Sequence, residues 1–170
     1  LQLVMLGLPQ AVILWLLRCP AALLCPMGKG ERGSLWLLPA GWAVLVAANL
    51  LATLLQGLLT EAALPVPAPL PGGTAARALT AVGSVLLPAV MEELLFRGAV
   101  LHALRPAGEK TAVWLSALLF MAAHGSLSQW VPALAAGLLL GAVTLYTGTL
   151  RWAVLLHLGN NILAWLTTYH

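Results

Sequence analysis

Apolar residues run in long blocks along this chain, and the blocks end where charges or Pro and Gly interrupt them. With roughly 20 mostly apolar residues needed for a spanning helix, the blocks are residues 1–17, 35–60, 78–104, 111–126, 130–147 and 149–168. None shows the alternation of a membrane barrel strand, and a backbone in lipid must satisfy its own hydrogen bonds, so each block reads as an α-helix. The pattern predicts an all-α fold, a polytopic membrane helical bundle of about six transmembrane helices.

One break divides the blocks. "EAALPVPAPLPGGTAAR", residues 61–77, holds four prolines and two glycines and cannot continue a helix. It reads as a Pro-rich linker outside the cytoplasm. Residues 1–60 then form two N-terminal transmembrane helices without intramembrane charge. Residues 78–170 form a four-helix C-terminal core that carries the polar residues.

Composition narrows the class further. With 61% hydrophobic and 8% charged residues the chain does not have the profile of a soluble domain. Arg18, Lys29 and Arg32 follow the first span, Arg105 and Lys110 follow the third, and Arg151 begins the sixth, whereas the alternate loops carry only Arg77. By the positive-inside rule the loops after spans one, three and five face the cytoplasm, and both ends of the chain lie on the other side. A multi-pass integral protein of a bacterial cytoplasmic membrane is the expectation, with the lipid bilayer as a partner. No basic run with interleaved aromatics points to nucleic acid. The chain opens at Leu1 with neither an initiator Met nor a basic leader. Residues 1–17 are therefore not read as a signal peptide, and a native N-terminus further upstream is expected.

Smaller signals have plain structural readings. Cys19 and Cys25, five residues between them and followed by Pro20 and Pro26, match no zinc, redox or disulfide spacing. Trp36, Trp114, Trp130 and Trp152 fall near predicted helix ends, as interfacial anchors do. Gly137 and Gly141 make a small-xxx-small step suited to helix contact.

The chemistry is in the spans. Ionisable groups deep in a bilayer cost at least roughly 2.5 to 3.5 kcal/mol each on insertion scales, yet Glu92, Glu93, Arg97, His124 and His157 all fall inside predicted helices. At about 100° per residue, Glu93 and Arg97 stand on one face in the acid-before-base order that favours an ion pair. They are expected to brace the helix. Glu92 points about 100° away from Glu93, which leaves it free for a partner on another helix. Pro88, one turn earlier, removes a backbone bond and is expected to kink the helix beside it.

Phe120 and His124 share a helical face in "FMAAH", and His157 and Asn161 share one in "HLGNN". A carboxylate withdrawn from water suits general-base work near neutral pH. Glu92 could then deprotonate a water, His124 orient it and shuttle the proton, and His157 with Asn161 donate to a developing oxyanion. That constellation fits amide hydrolysis.

"EELLFR", "FMAAH" and "HLGNN" resemble, in the same order, the EExxxR, FxxxH and HxxxN motifs of the CPBP (CAAX protease and bacteriocin-processing, Abi) intramembrane proteases, which include the Ras-converting CAAX prenyl protease. The resemblance covers residues 78–168. It implies a glutamic intramembrane endopeptidase in which Glu92 and His124 activate the water, His157 and Asn161 stabilise the oxyanion, and Glu93 and Arg97 give structural support. It also implies a membrane-associated protein or peptide as substrate: a prenylated CAAX end, a bacteriocin precursor or a C-terminal sorting tail. Family members have long been described as metalloproteases.

No cofactor and no metal ligand set is expected. The nearest alternative is a zinc-dependent membrane metalloprotease using the same Glu and His residues, since one Glu and two His could hold zinc with an open position. Neither HExxH nor a zinc-suited fourth ligand supports it, Asn161 being a better oxyanion donor. A proton-coupled transporter would also bury Glu and His, but the chain lacks repeated halves. A non-catalytic immunity or scaffold protein is the third alternative. His102, His170, Glu31, Glu61 and Glu109 read as interfacial or solvated groups outside the site.

Overall fold

The computed structural model of the chain describes residues 35–60, 69 and 72–169. The predicted first span, Cys19, Cys25, Glu31, Glu61, His170 and most of the linker lie outside the described residues. Within them the chain forms five helices and no strand. These are α1 (Leu37–Thr60), α2 (Thr74–Ala107), α3 (Glu109–Ala123), α4 (Leu127–Thr147) and α5 (Arg151–Tyr169). Three helical stretches are long and apolar enough to cross a membrane: Leu37–Leu58, Thr74–Ala107 and Leu127–Thr147. The other two helices, α3 and α5, contribute the buried Ser116 and His157 to the core. The fold is the all-α membrane bundle that the hydropathy blocks predict.

Helix α2 begins at Thr74, inside the stretch read as linker, because only Gly72 and Gly73 interrupt it there and "TAAR" propagates a helix well. It is not uniform. Two π-helical turns, Val82–Leu86 and Leu94–Val100, flank the α-helical stretch Leu87–Glu93. Pro88 sits immediately after the first of them, where the Leu87 N–H reaches back five residues to Val82 O. The proline that was expected to kink the helix is thus accommodated by a wider turn, a common resolution of a missing i to i−4 bond.

Lipid tails are as apolar as leucine, so helix association in a bilayer rests on close packing and interhelical hydrogen bonds. The α3–α4 contact follows this rule. A Cβ on Gly137 would lie 2.8 Å from Ala117 Cα, and one on Gly141 would lie 3.3 Å from Val113 Cγ1. The Gly137/Gly141 step is a helix contact, as its spacing suggests. On the opposite side α1 packs against α4 and α5. There Gly159 admits the Trp42 indole, which occupies the space a Cβ would need.

Leu45, Phe96, Phe120, Leu140, Trp152 and Leu156 anchor a core to which all five helices contribute. Trp152 corrects an expectation. Trp36, Trp114 and Trp130 are exposed at 80%, 53% and 39%, as anchors should be, but Trp152 is only 6% exposed. It lies in the first turn of α5, which packs inward, and the Arg151 guanidinium sits 4.8 Å over its ring.

Candidate active site

The site is organised around one ring. Phe120, 2% exposed, sits one turn before the end of α3. The Arg97 guanidinium stacks 4.3 Å over its centroid, His124 meets it edge-on at 4.6 Å, and His157 does so at 5.9 Å. Sequence periodicity placed Phe120 on the face of His124 without showing that it touches the arginine and both imidazoles.

His124 does not lie within a helix. It is the residue after α3, held in a tightened last turn in which its own N–H bonds to Met121 O at 3.1 Å. The next residue, Gly125, has φ 65, a conformation that stops a helix and suits glycine. The prediction of a span running through residue 126 therefore fails at this point. The consequence for chemistry is useful. His124 Nδ1 lies 2.8 Å from Phe120 O, and a carbonyl can only accept, so Nδ1 carries the proton. Nε2 is left to face a reactant.

Glu93 is fully buried and its Oε1 takes two bonds. Arg97 Nη1 donates to it at 2.9 Å, and His157 Nδ1 lies 2.7 Å away. The first contact is the brace that the i,i+4 spacing predicts. The second joins α2 to α5 and orients the His157 ring, which turns Nε2 toward Glu92 Oε2 at 3.8 Å. Arg97 is only 3% exposed, and its Nη2 donates to the Ala136 and Gly137 carbonyls of α4 at 3.4 Å each. Ser116 of α3 donates to Phe96 O at 3.0 Å and ties the same region to a fourth strand of contacts. Neither the Glu93–His157 bond nor the Ser116 bond has a signature in local spacing.

Glu92 keeps 17% of its side chain accessible and lies within electrostatic reach of both His157 and His124. Asn161 donates from Nδ2 to Val85 O at 3.3 Å, in the first π-helical turn of α2. A cavity of about 170 Å³ brings His124, His157 and Asn161 together, with Pro132 of α4 in its wall. Glu92 does not line that cavity and reaches it through His157. Glu93 and Arg97 stand in the core rather than at the surface of the site. His102 lies elsewhere, in a second cavity with Arg105 and Thr144, and Glu109 pairs with Arg105 at 2.9 Å on the exposed surface.

The geometry offers a carboxylate, two imidazoles and an amide. Glu92 Oε2 and His157 Nε2 stand 3.8 Å apart, near enough for one reactant to meet both. Among the described residues no three His, Cys, Asp or Glu side chains are arranged to hold a metal ion. The Nδ1 atoms of both imidazoles are already committed to Phe120 O and to Glu93.

The family model for Rce1-like type II CAAX prenyl endopeptidases matches residues 74–163. That stretch begins at the first residue of α2 and takes in all the polar groups just described. No curated protein and no solved structure matches the chain. Three motifs in order, gathered about one buried ring and lying within the matched stretch, place the chain in the Rce1-like family of type II CAAX prenyl endopeptidases.

Proposed function

We propose that the protein is an intramembrane endopeptidase that uses Glu92 as general base on a water and Asn161 and His157 as oxyanion donors. Glu92 Oε2 takes a proton as the water oxygen bonds to the scissile carbonyl carbon. The carbonyl π electrons move to oxygen, which receives Asn161 Nδ2–H, and His157 Nε2–H when that ring carries both protons and Glu93 accepts from Nδ1. His124 Nε2 orients the water, then receives the proton from Glu92 and passes it to the leaving nitrogen, which takes the C–N electron pair as the oxyanion re-forms the carbonyl. Glu93 and Arg97 hold His157 and the two helices in register.

The observation that carries this reading is the oriented pair of imidazoles. Each has Nδ1 tied to the protein and Nε2 left for a reactant, and His157 Nε2 faces Glu92 at 3.8 Å. Membrane membership and family add the substrate class: a membrane-associated protein or peptide, a prenylated CAAX end being the first to test.

The experiment uses the purified protein in lipid nanodiscs and a quenched peptide ending in a farnesylated cysteine and three apolar residues. Wild type is expected to cleave it, and Glu92→Gln to lose about 10²- to 10⁴-fold in kcat while unfolding like wild type. A strong chelator is expected to leave the rate unchanged. Chelator inactivation reversed by zinc would instead establish the metalloprotease alternative, and undiminished cleavage by Glu92→Gln would remove the base from the mechanism.

A further inference from the structure

The catalytic cavity has a second polar wall that the mechanism does not use. Asn49 of α1 and Asn160 of α5 both line it beside His157 and Asn161. Asn49 Nδ2 donates to Leu45 O at 2.8 Å and to Asn160 Oδ1 at 2.8 Å. A backbone carbonyl can only accept, so the contact with Leu45 fixes which way the Asn49 amide points. The atom of Asn160 that meets it must then be the oxygen. Both Nδ2 hydrogens of Asn49 are used.

The atoms left over are complementary to a peptide group. Asn49 Oδ1 is an acceptor and Asn160 Nδ2 is a donor, and neither hydrogen-bonds within the described residues. Both side chains are half-buried at the cavity wall. Holding two amides together across two helices leaves one acceptor and one donor on residues that line the same cavity, the chemical complement of a peptide N–H and C=O. Asn160 directly precedes Asn161, and the two side chains leave α5 about 100° apart. Both line the same cavity, so a chain whose scissile carbonyl reaches Asn161 runs beside Asn160.

We infer that Asn49 and Asn160 form a backbone-reading subsite that holds an extended peptide beside the scissile bond. This rests on the proteolytic reading only for its location. Recognition through main-chain bonds gives affinity with little demand on side chains. It also assigns α1, which lies before the family-matched stretch, a part in substrate binding. Trp42, two turns before Asn49, seats α1 against Gly159 and so sets the height at which the amide pair meets the cavity.

The test measures binding, so that it does not depend on turnover. Glu92→Gln protein in nanodiscs is titrated with the fluorescent farnesylated peptide, and with analogues in which one amide flanking the scissile bond is an ester, read by anisotropy. Asn160→Asp keeps an oxygen for Asn49 but loses the donor, and it is expected to weaken amide-peptide binding about tenfold without changing unfolding. One ester position is expected to bind the parent about tenfold more weakly, and to bind Asn49→Ala no differently from the amide. If amide and ester bind the parent equally at every position, or Asn160→Asp binds like its parent, or no peptide binds, the subsite is overturned. If the binding pattern holds while wild type cleaves nothing, the subsite stands and the proteolytic reading falls.

Discussion

Glu93 is the residue on which the arrangement turns, because one carboxylate oxygen serves both the arginine that braces α2 and the imidazole that faces Glu92. Its side chain and that of Arg97 are 0% and 1% exposed, so neither charge is relieved by water. Removing one partner of such a pair leaves an uncompensated buried charge, a loss of about 3–5 kcal/mol in soluble proteins. Glu93→Gln is accordingly expected to lower the unfolding midpoint in bicelles sharply and to slow cleavage through a misaligned His157. Changing both residues, Glu93→Gln with Arg97→Gln, should destabilise less than the sum of the two single changes, because the pair is coupled. Additive losses would show that the two side chains act independently.

Among the helices, small residues decide how close the helices come. Gly137 lies against the Ala117 backbone, whereas Gly141 lies against the Val113 side chain, which can rotate away. Gly137→Ala is therefore expected to cost about 1–3 kcal/mol as overpacking, and Gly141→Ala distinctly less, in the same unfolding assay. The reverse order would place the close approach elsewhere. Gly159→Ala drives a Cβ into the Trp42 indole. It should impair folding or activity, and Trp42→Leu in the same chain should restore part of the loss. Helix α2 adds a different point at this scale. Its two π-helical turns bracket Leu87–Glu93, so the segment carrying both glutamates has a widened turn on either side. Such turns recur at functional sites in helices.

Across the described residues, five apolar helices expose large side chains such as Leu54 and Leu58 outward while Glu93, Arg97 and His157 are buried inside. A bilayer solvates that outer surface, and the positive-inside rule predicts its orientation from the basic residues flanking the spans. The turn at Gly108, between α2 and α3, is flanked by Arg105 and Lys110. With Cys19 and Cys25 replaced by serine, a cysteine placed at Gly108 is expected to react with an impermeant thiol reagent only from the cytoplasmic side. A cysteine at Ser126, between α3 and α4, should react only from the other. The opposite labelling would invert the topology.

Much of this protein is written locally. Hydropathy blocks set five of the described helices, because a chain in lipid has no partner for its backbone other than itself. The three motifs locate on them the polar side chains that gather near Phe120. Glu93 and Arg97 could be paired from their spacing, and Gly137 with Gly141 could be read as a contact, because both follow from helical geometry over one turn. What no local rule contains is which faces meet. The bond from Glu93 to His157 spans 64 positions and that from Asn49 to Asn160 spans 111. The burial of Trp152 also depends on neighbours, whereas the end of α3 at His124 has a local signal in Gly125. The physical reason is that hydrocarbon and leucine are alike to an apolar helix face. Sequence alone therefore determined which segments form apolar helices, and only the packing of polar and small residues in three dimensions decided which of their faces turn outward and which gather the polar groups.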